Sequence, residues 1–181
     1  PAHIISIRTQ SIVPASWGDK INGILSRSTG YDHLTEYLAK IQKPLPCGYL
    51  EEYATRAVAE QAIMLMMTLL RKLPQQIRQF SSFNRDGLTG MECAGKNLLI
   101  VGVGRIGSAI ASIAHGLGMN VKGVDLVVRH HHIDYIDKIE GIRWADIVIC
   151  AMNLTRANTG YFSHDLLKHC KKGIIFINIA R

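Results

Sequence analysis

The residues with the clearest chemical content are Gly102, Gly104 and Gly107, in the run Leu98-Leu99-Ile100-Val101-Gly102-Val103-Gly104-Arg105-Ile106-Gly107, together with Asp125 behind a second expected strand, Val121 to Val124. Gly102 permits a tight turn at the end of the first run. Gly104 has no side chain to hold a pyrophosphate off the backbone, and Gly107 lets the following helix lie close against the strand. Phosphates placed there meet the free N–H groups and the positive dipole end of that helix. Asp125 stands 18 residues beyond Gly107, near the spacing of about 20 expected of an acid that bonds ribose hydroxyls. A carboxylate at that point repels a 2′-phosphate and favours NAD over NADP. A bare Gly-x-Gly-x-x-Gly is weak evidence. With the strand before it, the helix after it and the acid in place, a dinucleotide site is the reading, against a merely glycine-rich turn.

The elements that must position these residues follow a regular alternation from Asn97 onward. A strand at Leu98 to Val101 leads to a helix at Ile106 to Leu117, and a strand at Val121 to Asp125 leads to a connecting stretch from Leu126 to Gly141. A strand at Ile147 to Ala151 is followed by a helix-bearing stretch from Asn158 to Lys172, then by a strand at Ile174 to Ile177. Strands alternating with helices imply an α/β fold, a Rossmann-type doubly wound parallel sheet with right-handed crossovers. In the order 3-2-1-4-5-6 the strand Ile174 to Ile177 is expected beside the first strand. It is as apolar as a central strand, and an uncovered apolar edge is hazardous, so the chain is read as a fragment or as one whose partner supplies further strands.

The first section is a smaller α/β unit. Short strands are expected at Ile4 to Ile7 and Ile24 to Leu25, a helical turn at Trp17 to Ile21, and a helix from about Leu34 to Ile41. Gln42 to Tyr49 holds two prolines and a glycine and reads as a connector. A long helix is expected from Glu51 to Leu73, ended by Pro74, with acids at its start and Arg71 and Lys72 at its end. Its segment Ile63 to Leu70 is apolar except Thr68 and should be buried on most sides, in a core or a subunit interface.

Bulk composition removes several classes. Hydrophobic residues make up 48% of the 181-residue chain, enough for a sizeable core and against disorder. The net charge of +7 comes from basic residues scattered without interleaved aromatics, which describes a solvated surface rather than a nucleic-acid groove. No apolar run approaches the roughly 18 residues of a membrane span. Cys47, Cys93, Cys150 and Cys170 are widely spaced and read as free thiols of a reducing, cytoplasmic compartment. His130, His131 and His132 do not share one face of a helix or strand, and no metal site is expected.

Five stretches taken together resemble the NAD-dependent D-2-hydroxyacid dehydrogenases, in particular their D-lactate dehydrogenase-like branch. They are Arg27 to His33, Ala57 to Gln61, Gly102 to Gly107 with Asp125, Ala145 to Val148, and Asn178 to Arg181, in the family's order. The resemblance implies that residues 1–50 are part of a flavodoxin-like substrate domain and that 51–181 form the NAD-binding domain. It implies that backbone N–H groups at Thr29 and Gly30 hold a substrate carboxylate. Arg105 and Ile106 would touch the pyrophosphate, Asp125 the ribose, and Met152, Asn153 and Asn158 the adenosine half. Ile179 and Ala180 would line the nicotinamide side, and Arg181 would be the catalytic arginine. Chemically this is coherent, because a fork-shaped cation binds a carboxylate and polarises the adjacent ketone bidentately where lysine does not.

The family's orienting Glu and proton-transferring His come after that arginine, outside this chain. His33 lies in the substrate-side loop and is a poor geometric substitute, and Asn153 stands where the family often has proline. The implied activity is hydride transfer between NAD and a small 2-keto or 2-hydroxy acid, in a homodimer packed through the Glu51 to Leu73 helix, with no nucleic-acid or membrane partner. The alternatives are an NAD(H)-sensing, corepressor-like module without catalysis, and another Rossmann enzyme sharing the same cofactor half.

Overall fold

The computed structural model describes residues 3–180. The chain divides into two compact units, Pro1–Ala54 and Thr55–Arg181.

In the first unit, β1 (Ile4–Ile7), β2 (Gly23–Ser26) and β3 (Cys47–Tyr49) form a parallel sheet in the order β1-β2-β3. Helix α1 (Asp32–Ile41) buries Leu34 and Tyr37, which join Ile7, Ile21, Ile24 and Leu45 in one apolar cluster. The strand β3 lies inside the stretch expected to be a connector. Its residues Cys-Gly-Tyr carry no apolar alternation, and it forms because backbone pairing with β2 is available (Ile24↔Cys47 to Ser26↔Tyr49). The helical turn falls at Ala15–Trp17, ahead of the expected Trp17 to Ile21 and sharing only Trp17 with it.

The second unit is a five-stranded parallel sheet in the order β6-β5-β4-β7-β8, with β4 (Asn97–Val101), β5 (Asn120–Val124), β6 (Asp134–Tyr135), β7 (Ile147–Cys150) and β8 (Ile175–Asn178). Side chains alternate across a strand, and both faces here are covered. Leu98, Ile100, Ile147 and Ile149 join a cluster with residues of α2 (Thr55–Leu70) and α4 (Arg105–Gly116). Leu99, Val101 and Val148 join another with Ile142 of α5 (Lys138–Trp144) and Leu166 of α6 (His164–Leu167). Such two-sided burial is why these strands read as unbroken apolar runs.

Two expectations are corrected. The last strand, β8, lies beside β7, and it is β7 that neighbours β4. The difference arises from β6, a strand of two residues, Asp-Tyr, that carries no hydrophobic pattern. The helix expected from Glu51 runs Thr55–Leu70, and Pro74 sits in the first turn of a separate helix α3 (Leu73–Gln79), where its missing N–H costs nothing. Helix α2 buries Ala59, Ala62, Met66 and Leu70, and Ile63, Leu65 and Met67 pack against the same core, while Met64 and Leu69 are 51% and 47% exposed. Most of the segment Ile63 to Leu70 is thus covered within this chain, and these two side chains are not. Among the described residues no helix is long and apolar enough to cross a membrane.

Asp146, just before β7, fastens the base of the sheet. Its carboxylate accepts the Asn97 N–H at 2.9 Å and the Lys171 ammonium at 2.8 Å. Partial burial pushes the carboxyl up, but the Lys171 and Asn97 bonds outweigh that and hold it below its ordinary value. A depressed folded-state pKa stabilises above the unfolded carboxylate value, and that contribution fades as pH falls through the folded value. In urea titrations from pH 6 downward through the range of about 4 where free Asp protonates, wild type is expected to lose stability more steeply than Asp146→Asn. Parallel curves would count against the linkage.

Candidate functional site

The second unit presents its chemistry at the carboxyl ends of four adjacent strands. The registers Val101↔Val124, Val101↔Cys150 and Cys150↔Asn178 put the last residues of β5, β4, β7 and β8 side by side. The residues that follow those ends are Asp125, Gly102, Met152 with Asn153, and Ile179 with Ala180. In open parallel sheets this is where ligands bind.

The turn after β4 is tightly built. Gly102 has φ +97°, a conformation L side chains rarely adopt, and an added Cβ would lie 2.6 Å from the Met152 nitrogen. A Cβ on Gly107 would collide with the Gly102 carbonyl oxygen, so the first turn of α4 rests directly on the turn. Gly104 differs: nothing lies within 4 Å of where its Cβ would stand. It is the N-cap of the twelve-residue α4 and supplies no side-chain cap bond. Helix-end N–H groups together with an open volume over a glycine are what a pyrophosphate requires, so these residues fit a dinucleotide.

Asp125 does more than the sequence indicated. Its Oδ2 accepts the Val103 N–H at 2.7 Å and its Oδ1 accepts the Val127 N–H at 3.3 Å. The carboxylate thus clips the glycine turn to the end of β5. The Gly102 N–H, donating to the Val124 carbonyl at 2.9 Å, reinforces this.

Of the other expected positions, Arg105 is exposed and Ile106 packs at the edge of the α2–α4 core. Met152 packs beside the opposite cluster. Asn158 organises the segment after it: its Nδ2 donates to the Asn153 carbonyl at 2.7 Å, and its Oδ1 accepts the Thr155 N–H at 2.8 Å. At the end of β8, Ile179 donates its N–H to the Cys150 carbonyl at 3.2 Å, and Ala180 donates to Asn178 Oδ1 at 3.0 Å. Burial pushes the Cys150 thiol up, which leaves it a poor nucleophile. Arg181 lies outside the described residues.

In the first unit the loop after β2 is held at several points. Ser28 accepts the Leu50 N–H at its carbonyl (3.2 Å), and Thr29 Oγ1 donates to the Tyr53 carbonyl at 3.0 Å. Among the described residues no hydrogen bond takes the N–H of Thr29 or of Gly30, and both residues are half-buried. Two adjacent donors of this kind suit an anion. The histidine run is an exposed or half-exposed loop in which His130 and His132 meet edge-to-face at 5.8 Å. Among the described residues no group of three or more His, Cys, Asp or Glu converges as a metal site.

Residues 63–181 match the family model described as the D-isomer specific 2-hydroxyacid dehydrogenase NAD binding domain. The chain belongs to this dehydrogenase family. Among curated relatives, the D-lactate dehydrogenase of Streptococcus agalactiae serotype V is 30% identical over 171 residues, covering 89% of this chain and 51% of that protein. The D-lactate dehydrogenase of Escherichia coli K12 is 30% identical over 164 residues, covering 87% and 50%. This 2-hydroxyacid dehydrogenase chain therefore spans about half the length of the curated relatives it matches. Among solved structures, the D-lactate dehydrogenase of Aquifex aeolicus, complexed with NAD and lactic acid, superposes with a TM-score of 0.88. That likeness, at 24% identity and covering 99% of this chain and 56% of that one, establishes a shared fold.

The three glycines have separable duties, and substitution should separate them. Gly107→Ala is expected to destabilise by more than ~2 kcal/mol, because backbone meets the new methyl. Gly104→Ala is expected to leave thermal unfolding nearly unchanged. Equal losses in calorimetry would show that Gly104 is not an open position.

Proposed function

We propose that the full-length protein is an NAD-dependent oxidoreductase that interconverts a small 2-keto acid and its D-2-hydroxy acid. The observation that carries this reading is the gathering of Gly102, Asp125, Met152 and Ile179–Ala180 at four neighbouring strand ends. It occurs in a chain whose matched stretch is the family's NAD binding domain. In this reading the first-turn N–H groups of α4, with Arg105 and Ile106 beside them, hold the pyrophosphate over Gly104. Asp125 bonds the adenosine ribose, and Met152, Asn153 and Asn158 flank the adenosine half. Ile179 and Ala180 line the nicotinamide side.

The substrate is a small anion. The N–H groups of Thr29 and Gly30 bind its carboxylate, and the Arg181 guanidinium binds the carboxylate and polarises the 2-carbonyl as charge develops on oxygen. NAD(H) supplies or accepts the hydride. The test is to titrate NADH and to assay the natural full-length protein with pyruvate and larger 2-keto acids. Turnover to the D-hydroxy acid is expected. In Gly104→Val, NADH affinity should fall about tenfold or more while folding is kept, since the side chain occupies the phosphate's space. Tight NADH binding without turnover of any 2-keto acid would overturn the catalytic reading.

We further propose that the protein is a homodimer built on the outer face of α2 and the segment after it. Met64, Leu69, Leu73, Ile77, Phe80 and Phe83 are all large, apolar and 43% exposed or more. A run of this size is uncommon on a monomer's surface. Light scattering should give twice the chain mass at micromolar concentration, and Leu69→Glu combined with Ile77→Glu should shift it toward monomer. A monomeric wild type would sink the proposal.

A further inference from the structure

Ser26 is the buried polar residue of the described chain, 0% exposed at the end of β2. A buried hydroxyl is tolerated only when it is hydrogen-bonded, and this one stands in the middle of a chain of three bonds. His33 Nε2 lies 2.8 Å from Ser26 Oγ, Ser26 Oγ lies 2.7 Å from Ser28 Oγ, and Ser28 Oγ donates to the Gly30 carbonyl at 2.9 Å. The direction of every proton follows from counting. A serine hydroxyl has one proton. Ser28 gives its proton to the Gly30 carbonyl, which can only accept, so Ser28 must accept from Ser26. Ser26 has then spent its own proton and must accept from His33. The imidazole is thereby fixed with a proton on Nε2. The chain runs one way, from His33 on α1 through a buried serine and Ser28 to the carbonyl of Gly30.

We infer that His33 and Ser26 are positioning residues for the anion-binding loop. Through Ser28 they hold the Gly30 carbonyl, and with it the orientation in which the Thr29 and Gly30 N–H groups meet the substrate carboxylate. The inference rests on the substrate-loop reading proposed above and deepens it. Neither side chain need touch substrate. Bonds in such a chain polarise one another, so removal of the first donor is felt at the last acceptor. The loop's other anchors, the Leu50 N–H on the Ser28 carbonyl and Thr29 Oγ1 on the Tyr53 carbonyl, keep it folded without setting the Gly30 carbonyl.

The experiment uses the natural full-length protein with NADH and the best 2-keto acid found for it. His33→Leu and Ser28→Ala should each raise the KM for the keto acid about tenfold, the effect of one lost hydrogen bond on binding. Both should change kcat less than threefold and leave the NADH dissociation constant as in wild type. His33→Gln, whose amide N–H can stand where Nε2–H stood, should recover most of the loss. Ser28→Ala removes a half-buried hydroxyl and keeps the test open if His33→Leu fails to fold. An unaltered KM in folded His33→Leu or Ser28→Ala overturns the assignment, as does an equal KM rise in His33→Leu and His33→Gln. A wild type that binds NADH and turns over no 2-keto acid overturns the dehydrogenase reading itself, which is a different failure.

Discussion

In the larger unit, the start of α4 must come into contact with the turn that ends β4, and most of what surrounds it follows from that closeness. Contact at Gly107 excludes even a methyl group, and Gly102 adopts a φ of +97° so that the chain can turn there without striking the Met152 backbone. An α4 brought this near delivers its first-turn N–H groups to the carboxyl edge of the sheet. The same proximity presses its inner face, Ile110, Ala111 and Ala114, fully buried, against α2 and the strands. The small residues at 111 and 114 are consistent with that demand, since larger ones would push the helix away and open the turn. The packing of α4 and the presentation of its N-terminal N–H groups at the sheet edge are in this sense one constraint seen from two sides.

What the sequence disclosed depended on whether a residue's duty shows in its own type. The glycines at 102 and 107 were legible because the turn and the close helix contact each need the absence of a side chain, and β4 and β7 because burial on two faces leaves unbroken apolar runs. β6 was not legible: Asp134 and Tyr135 join the sheet through their backbones, and pairing at Lys122↔Asp134 leaves no hydrophobic signature. That one hidden strand displaced the expected neighbour of β4. β3 was missed for the same reason. For α2, apolar composition showed that Ile63 to Leu70 avoids water, but not which side chains this chain covers itself and which, Met64 and Leu69, it leaves exposed.

The clip made by Asp125 and the chain that begins at His33 share a principle that spacing arguments do not reach. In each, a polar side chain that its type alone would leave free for a ligand is already engaged within the protein, Asp125 with backbone N–H groups and His33 with a buried hydroxyl. Asp125 spends an acceptor on Val103 and another on Val127. His33 spends its Nε2 on Ser26. A sequence reports which groups are available, and only coordinates report which are already committed.

Prior commitment by Asp125 does not conflict with a ribose. A carboxylate has about four acceptor directions, two on each oxygen, and the Val103 and Val127 N–H groups use one on each. A direction on each oxygen remains, enough for two vicinal hydroxyls. An amide would have a single acceptor oxygen, so one of the two backbone donors would lose its partner before any ligand arrived. A carboxylate serves both donors at once, so the structural clip favours the same residue type that the proposed ribose contact requires.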